Sequence, residues 1–85
     1  MSGESGVNSN LQAVRTMLRN ISPVKAKKLL EQCELPDDEY VIILEHDIKQ
    51  KSLVAVGDFL GMSYPTAKRK HKKALNKIYD TIMEL

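Results

Sequence analysis

Gly61 stands between two apolar residues, Leu60 and Met62, where two segments of helical spacing meet, and each of those segments opens on a serine. That residue constrains the chain more than any other. A helix that ends in a left-handed backbone conformation strongly favours glycine, and an apolar residue just beyond it packs back on the helix it closes. Upstream, Ser52 is placed to cap a helix carrying Leu53, Val56, Phe59 and Leu60; downstream, Ser63 caps a second, in which Pro65 is tolerated because it lies within the first turn. Gly57 falls four residues before Gly61, where two helices joined by so short a turn approach closely and a large side chain would push them apart. The spacing predicts two helices with a tight bend between them, a helix-turn-helix.

The second of these helices has two unlike faces. At 100° per residue Ala67, Ala74 and Ile78 share one side, with Leu75 close by, while Pro65, Arg69, Lys72 and Asn76 fall opposite, flanked by Lys68 and Lys73. A net charge of +2 says little by itself, but its distribution says more. Residues 1–62 hold seven Lys and Arg against nine Asp and Glu, a net −2; residues 63–85 hold six against two, a net +4. Lys68, Arg69, Lys70, Lys72 and Lys73 form the block. Many basic runs are merely solvated helix faces. One that directly follows a glycine turn has the electrostatic footprint of a phosphate-binding surface.

The rest of the chain reads as scaffold. Residues 1–7 have the composition of a flexible tail. Asn8 or Asn10 is placed to cap a helix bearing Leu11, Val14, Met17, Leu18 and Ile21. Ser22-Pro23 opens a second helix, running to about Cys33 with Val24, Leu29, Leu30 and Cys33 as apolar members. Leu35-Pro36-Asp37-Asp38-Glu39 opens a third, its carboxylates suiting the positive end of the helix dipole. Tyr40, Ile43, Leu44 and Ile48 supply its core stripe, with Val41 beside it, and residues 49–51 make a polar joint. Ile82 and Leu85 continue the inner stripe of the last helix, to pack on the first helix or to pair two chains. The expected fold is an all-α bundle of about five helices in one compact domain: a tail at 1–7, a helical pair at 8–34 and the helix-turn-helix portion at 35–85.

Size and composition exclude other classes. Eighty-five residues give room for one domain, and 42% hydrophobic residues suffice for one core. The single cysteine, Cys33, cannot form an internal disulfide and suits a small buried packing role. No apolar run approaches the roughly 20 residues of a membrane span, and Met1–Asn10 lacks the pattern of a signal peptide, so a cytoplasmic location is expected. His46 and Asp47, adjacent in a helix, point about 100° apart and read as a surface pair, and His71 reads as a boundary residue. Cys33, His46 and His71 lack the clustered spacing of zinc sites. Neither a glycine-rich phosphate loop nor a Gly-x-Ser-x-Gly elbow is present. No enzyme, metal or cofactor is expected.

From Leu35 to Ile78 the chain resembles the promoter-binding C-terminal domain, region 4, of bacterial sigma factors. Ser52-Leu53, Val56-Gly57 and Leu60-Gly61-Met62-Ser63 follow that domain's "T-L-x-x-I-A/G-x-x-L-G-V-S" run. Thr66-Ala67-Lys68 is similar to the "T-V-K" of alternative sigma factors, and Lys73-Ala74-Leu75 with Lys77-Ile78 to a closing "K-A-L-x-K-L". Response-regulator output domains share part of the pattern, especially Thr-Ala-Lys. The resemblance covers about half of the chain and implies that the last helix reads promoter DNA and that the domain can touch RNA polymerase. Three departures matter. Tyr64-Pro65-Thr66 stands where primary sigma factors have Arg-Glu-Arg, so base preference is not inherited. Ala55 replaces a glutamate, so no capping box forms with Ser52. A promoter-melting domain does not fit in this length, which suggests a stand-alone regulator of the kind found in phages and mobile elements.

The expected function is sequence-specific binding of double-stranded DNA for transcription regulation, with residues 64–80 in the major groove. Lys68, Lys72 and Lys73, with Lys51 as an outlying fourth, would neutralise phosphates, and Ser52 and Ser63 would add hydrogen bonds from capped helix starts. Arg69 is the best candidate for reading a base, because its planar fork can bond guanine O6 and N7 together, worth about 1–3 kcal/mol of discrimination. Tyr64 and Thr66 are placed to meet a thymine methyl or a phosphate, and Asn76 shares their face. One recognition helix spans few base pairs, so tight binding calls for a homodimer or a polymerase partner. The alternative is a module that binds RNA polymerase or a sigma factor and has no DNA site of its own.

Overall fold

The computed structural model describes residues 2–85, with side chains from Ser9 onward. The fold is all-α. Helix α1 spans Ser2–Asn20, α2 Pro23–Cys33, α4 Leu53–Leu60 and α5 Tyr64–Met83. Helix α3 opens as Asp37–Ile42 and continues unbroken into a π-helical stretch, Ile43–Ile48. No strand occurs among the described residues, and none of their helices is long and apolar enough to cross a membrane.

Local chemistry explains most of the boundaries. Ser22 caps α2, its Oγ accepting from the Lys25 N–H at 3.2 Å, and Pro23 occupies the first turn, where a missing N–H costs nothing. Ser52 caps α4 by accepting from the Ala55 N–H at 3.1 Å. Gly61 closes α4 in the left-handed region at φ 72°, its N–H bonding back to Asp58, and the Met62 N–H returns to the Gly57 carbonyl at 2.9 Å. Gly57 sits where α4 meets α5: a Cβ there would stand 3.3 Å from both the Ala67 Cβ and the Met62 carbonyl oxygen. Two expectations shift at the N-terminus. The helix already runs from Ser2, so residues 2–7 continue α1 instead of forming a tail, and neither Asn8 nor Asn10 is its cap. Nothing between Ser2 and Asn10 breaks a helix, since glycine costs it only about 1 kcal/mol against alanine.

Helix α5 is the hub on which the other four helices pack. Leu11, Val14 and Leu18 from α1, Ala26, Leu30 and Cys33 from α2, Ile43 from α3, and Ala74, Leu75 and Ile78 from α5 form one buried cluster. Residues 8–34 and 35–85 thus share a single core. Ile82 packs against it, beside Val14 and Met17 of α1, whereas Leu85 is exposed. Val24 and Phe59, expected among the apolar stripes of their helices, are exposed as well, Phe59 by 80%. Val56, expected in the same stripe of α4, is buried.

The π-helical stretch changes what α3 buries. The Lys49 N–H bonds to the Leu44 carbonyl at 3.0 Å, five residues back, so successive residues turn by less than the ~100° of an α-helix. Ile42, Ile43 and Asp47 are buried, whereas Tyr40, Leu44 and Ile48 of the expected stripe are only half-buried.

Candidate nucleic-acid interface

The two faces of α5 separate cleanly. Ala67, His71, Ala74, Leu75 and Ile78 are buried against the bundle, while Tyr64, Lys68, Arg69, Lys72, Lys73 and Asn76 are exposed. Among the described residues Arg69, Lys72 and Lys73 make no ion pair. Lys68 lies over the Tyr64 ring, 5.4 Å from its centroid, a cation–π contact that orders both at the start of the helix.

Several of the expected contacts are already committed elsewhere. Ser63 Oγ accepts from the Thr66 N–H at 3.4 Å and donates to Thr66 Oγ1 at 3.0 Å, so the two side chains satisfy each other. With Pro65 lacking an N–H, and the Ala67 N–H bonded to the Ser63 carbonyl, the α5 start keeps the Tyr64 N–H and that of the cap, Ser63, for an outside acceptor. The α4 start keeps three, at Ser52, Leu53 and Val54. Asn76 donates back to the Lys72 carbonyl at 3.1 Å. Two cations leave the free set altogether: Lys51 pairs with Glu45 at 2.9 Å, and half-buried Lys70 with Asp38 at 2.9 Å. The hydrogen bonds from Lys51 and then Lys49 hold the Glu45 carboxyl below the usual range. The free basic face is accordingly narrower than its sequence, with Arg69, Lys72 and Lys73 at its centre and Lys68 at its edge.

Beside that face an open cleft of about 760 Å³ runs between α1, α4 and α5. Ser52, Tyr64, Lys68 and Lys72 line it together with Arg15 and His46. Four residues expected to meet a phosphodiester backbone therefore converge on one concavity. Arg15 joins them from α1, and no local pattern in the sequence singles it out.

Below the cleft lies a buried ionic group. Asp47 is fully buried; its Oδ1 accepts from Arg15 Nε at 3.0 Å and its Oδ2 from His71 Nε2 at 2.6 Å. Burial by itself would raise the Asp47 carboxyl, but the His71 hydrogen bond and charge, then Arg15, outweigh it and hold the group ionised, below its ordinary value. His46 is half-buried, its Nδ1 2.6 Å from the Lys51 carbonyl and its ring edge-on to His71, centroids 4.9 Å apart. The expectation of a His46–Asp47 surface pair is thus corrected. The π-helical stretch turns Asp47 into the core, and a partner on α1 and another on α5 meet it there. Comparison with protein-family models, curated protein sequences and solved structures finds no match to the chain.

Proposed function

We propose that the chain is a DNA-binding transcriptional regulator in which α4, the Gly61 turn and α5 act as a helix-turn-helix and the outer face of α5 enters the major groove. The observation that carries this reading is an exposed row of cations, Arg69, Lys72 and Lys73, free of ion pairs among the described residues and set on a helix whose opposite face is buried. Lys68 and Lys72, beside Ser52 and the free N–H groups of α4, would seat one strand's phosphates in the cleft. Arg69, in the second turn of α5, would reach a base edge. Three phosphates neutralised by Lys68, Lys72 and Lys73 imply a salt slope near −2.7, or about a 40-fold loss of affinity between roughly 50 and 200 mM salt. Fluorescence anisotropy with a random duplex tests this, and tight binding that salt leaves unchanged, or no binding at low salt, would refute it.

A second reading is supported by one feature of α4. Phe59 is 80% exposed beside a cleft of about 270 Å³ lined by Glu45, Lys51, Ala55 and Val56. An exposed aromatic next to a small concavity suits an anchor for a protein partner. In this reading the chain binds RNA polymerase or a sigma factor without a DNA site. Loss of polymerase capture in Phe59→Ala, with no duplex binding in the wild type, is its signature.

A further inference from the structure

We propose that His46, Asp47 and His71 form a binding site for a divalent metal ion of the zinc type, bridging α3 to α5. A ring nitrogen from each histidine and a carboxylate oxygen of Asp47 lie within 4.8 Å of one another. Two imidazoles and a carboxylate are a common donor set for zinc, with the fourth position left to water.

Three features of the cluster suit an ion. First, His46 Nδ1 faces the Lys51 carbonyl at 2.6 Å. A carbonyl oxygen can only accept, so Nδ1 is the donor there, and the neutral form of the ring presents its lone pair at Nε2, as in a ligating histidine held by a backbone carbonyl. Second, Asp47 retains an outer support: Arg15 holds Oδ1 at 3.0 Å while Oδ2 faces His71. Third, both histidines line the open cleft beside α5, so an ion and its water have a route in.

Binding exchanges one cation for another. His71 must ligate as a neutral imidazole, so the Nε2 proton facing Asp47 Oδ2 at 2.6 Å leaves for solvent or for the ring's own Nδ1, which holds a proton once the ion takes its place. Tetrahedral ligands about 2.0–2.1 Å from zinc stand about 3.3 Å apart, so His71 and Asp47 must open by roughly 0.7 Å while His46 draws in by up to roughly 1.5 Å. The half-buried His46 side chain is the member with room to make that move. Once held, the ion ties the π-helical stretch of α3 to the helix that carries the basic face.

The test uses untagged protein and Zn²⁺ in competition with a chromophoric chelator, comparing wild type, His46→Ala and Cys33→Ala. His46→Ala leaves the Asp47–His71–Arg15 contacts intact and is expected to fold, which circular dichroism checks. Saturable one-to-one binding, weakened at least about 10-fold in His46→Ala and unchanged in Cys33→Ala, is the expected result. No saturable binding by the wild type, equal binding by folded His46→Ala, or loss of binding in Cys33→Ala would overturn it.

Discussion

Asp47 carries a charge into the core because Arg15 and His71 meet it there, one from α1 and one from α5. Removing the carboxylate leaves a guanidinium and an imidazole without their acceptor. Asp47→Ala should therefore lower unfolding stability by about 3–5 kcal/mol in denaturant titrations, whereas the half-buried His46 changed to Ala should cost under about 1 kcal/mol. Gly61 poses a different problem. At φ 72° with nothing within 4 Å of an added Cβ, the cost of Gly61→Ala is backbone strain without a clash, about 1–2 kcal/mol by the same titration. That glycine was legible from its flanking residues alone, because a helix stop is a local event. The Asp47 partners were not, since they lie 32 and 24 residues away in sequence and only the folded bundle brings them close.

Among the elements, α3 is the one whose reading changed most. Its start was legible from Pro36 and the acidic first turn, but its π-helical second half was not, because no proline, glycine or cap marks it in the sequence. The caps of α2, α4 and α5 are where Ser22, Ser52 and Ser63 place them, each satisfied by a backbone N–H three residues on. The first turn of α3 is pinned to α5 by Asp38 and Lys70, and the Lys70 hydrogen bond holds the Asp38 carboxyl below its ordinary range. A carboxyl with a depressed folded value stabilises the protein above the unfolded value of about 3.9, and that stabilisation is lost as pH falls through the folded one. Wild type should therefore be more stable than Asp38→Asn in denaturant titrations near pH 6, by less than about 1 kcal/mol for a half-buried surface pair, and the gap should close towards pH 3. A gap that widens on acidification would show that the pair does not link the two helices.

At the scale of the molecule, charge is sorted by position: residues 63–85 carry a net +4 and the preceding 62 a net −2. The sequence alone located the basic face but overstated its width, since Lys51 and Lys70 are drawn into ion pairs that link neighbouring elements. What remains free is a row along α5 opposite the core. Other exposed lysines exist, Lys27 on α2 among them, and they provide an internal control. The most direct measurement is the slope of log affinity against log salt for a random duplex, in wild type, Lys72→Ala and Lys27→Ala. A duplex seated on α5 predicts a wild-type slope near −2.7, a slope shallower by about 0.9 in Lys72→Ala, and no change in Lys27→Ala. A flat wild-type line, or equal changes from the two lysines, would contradict it.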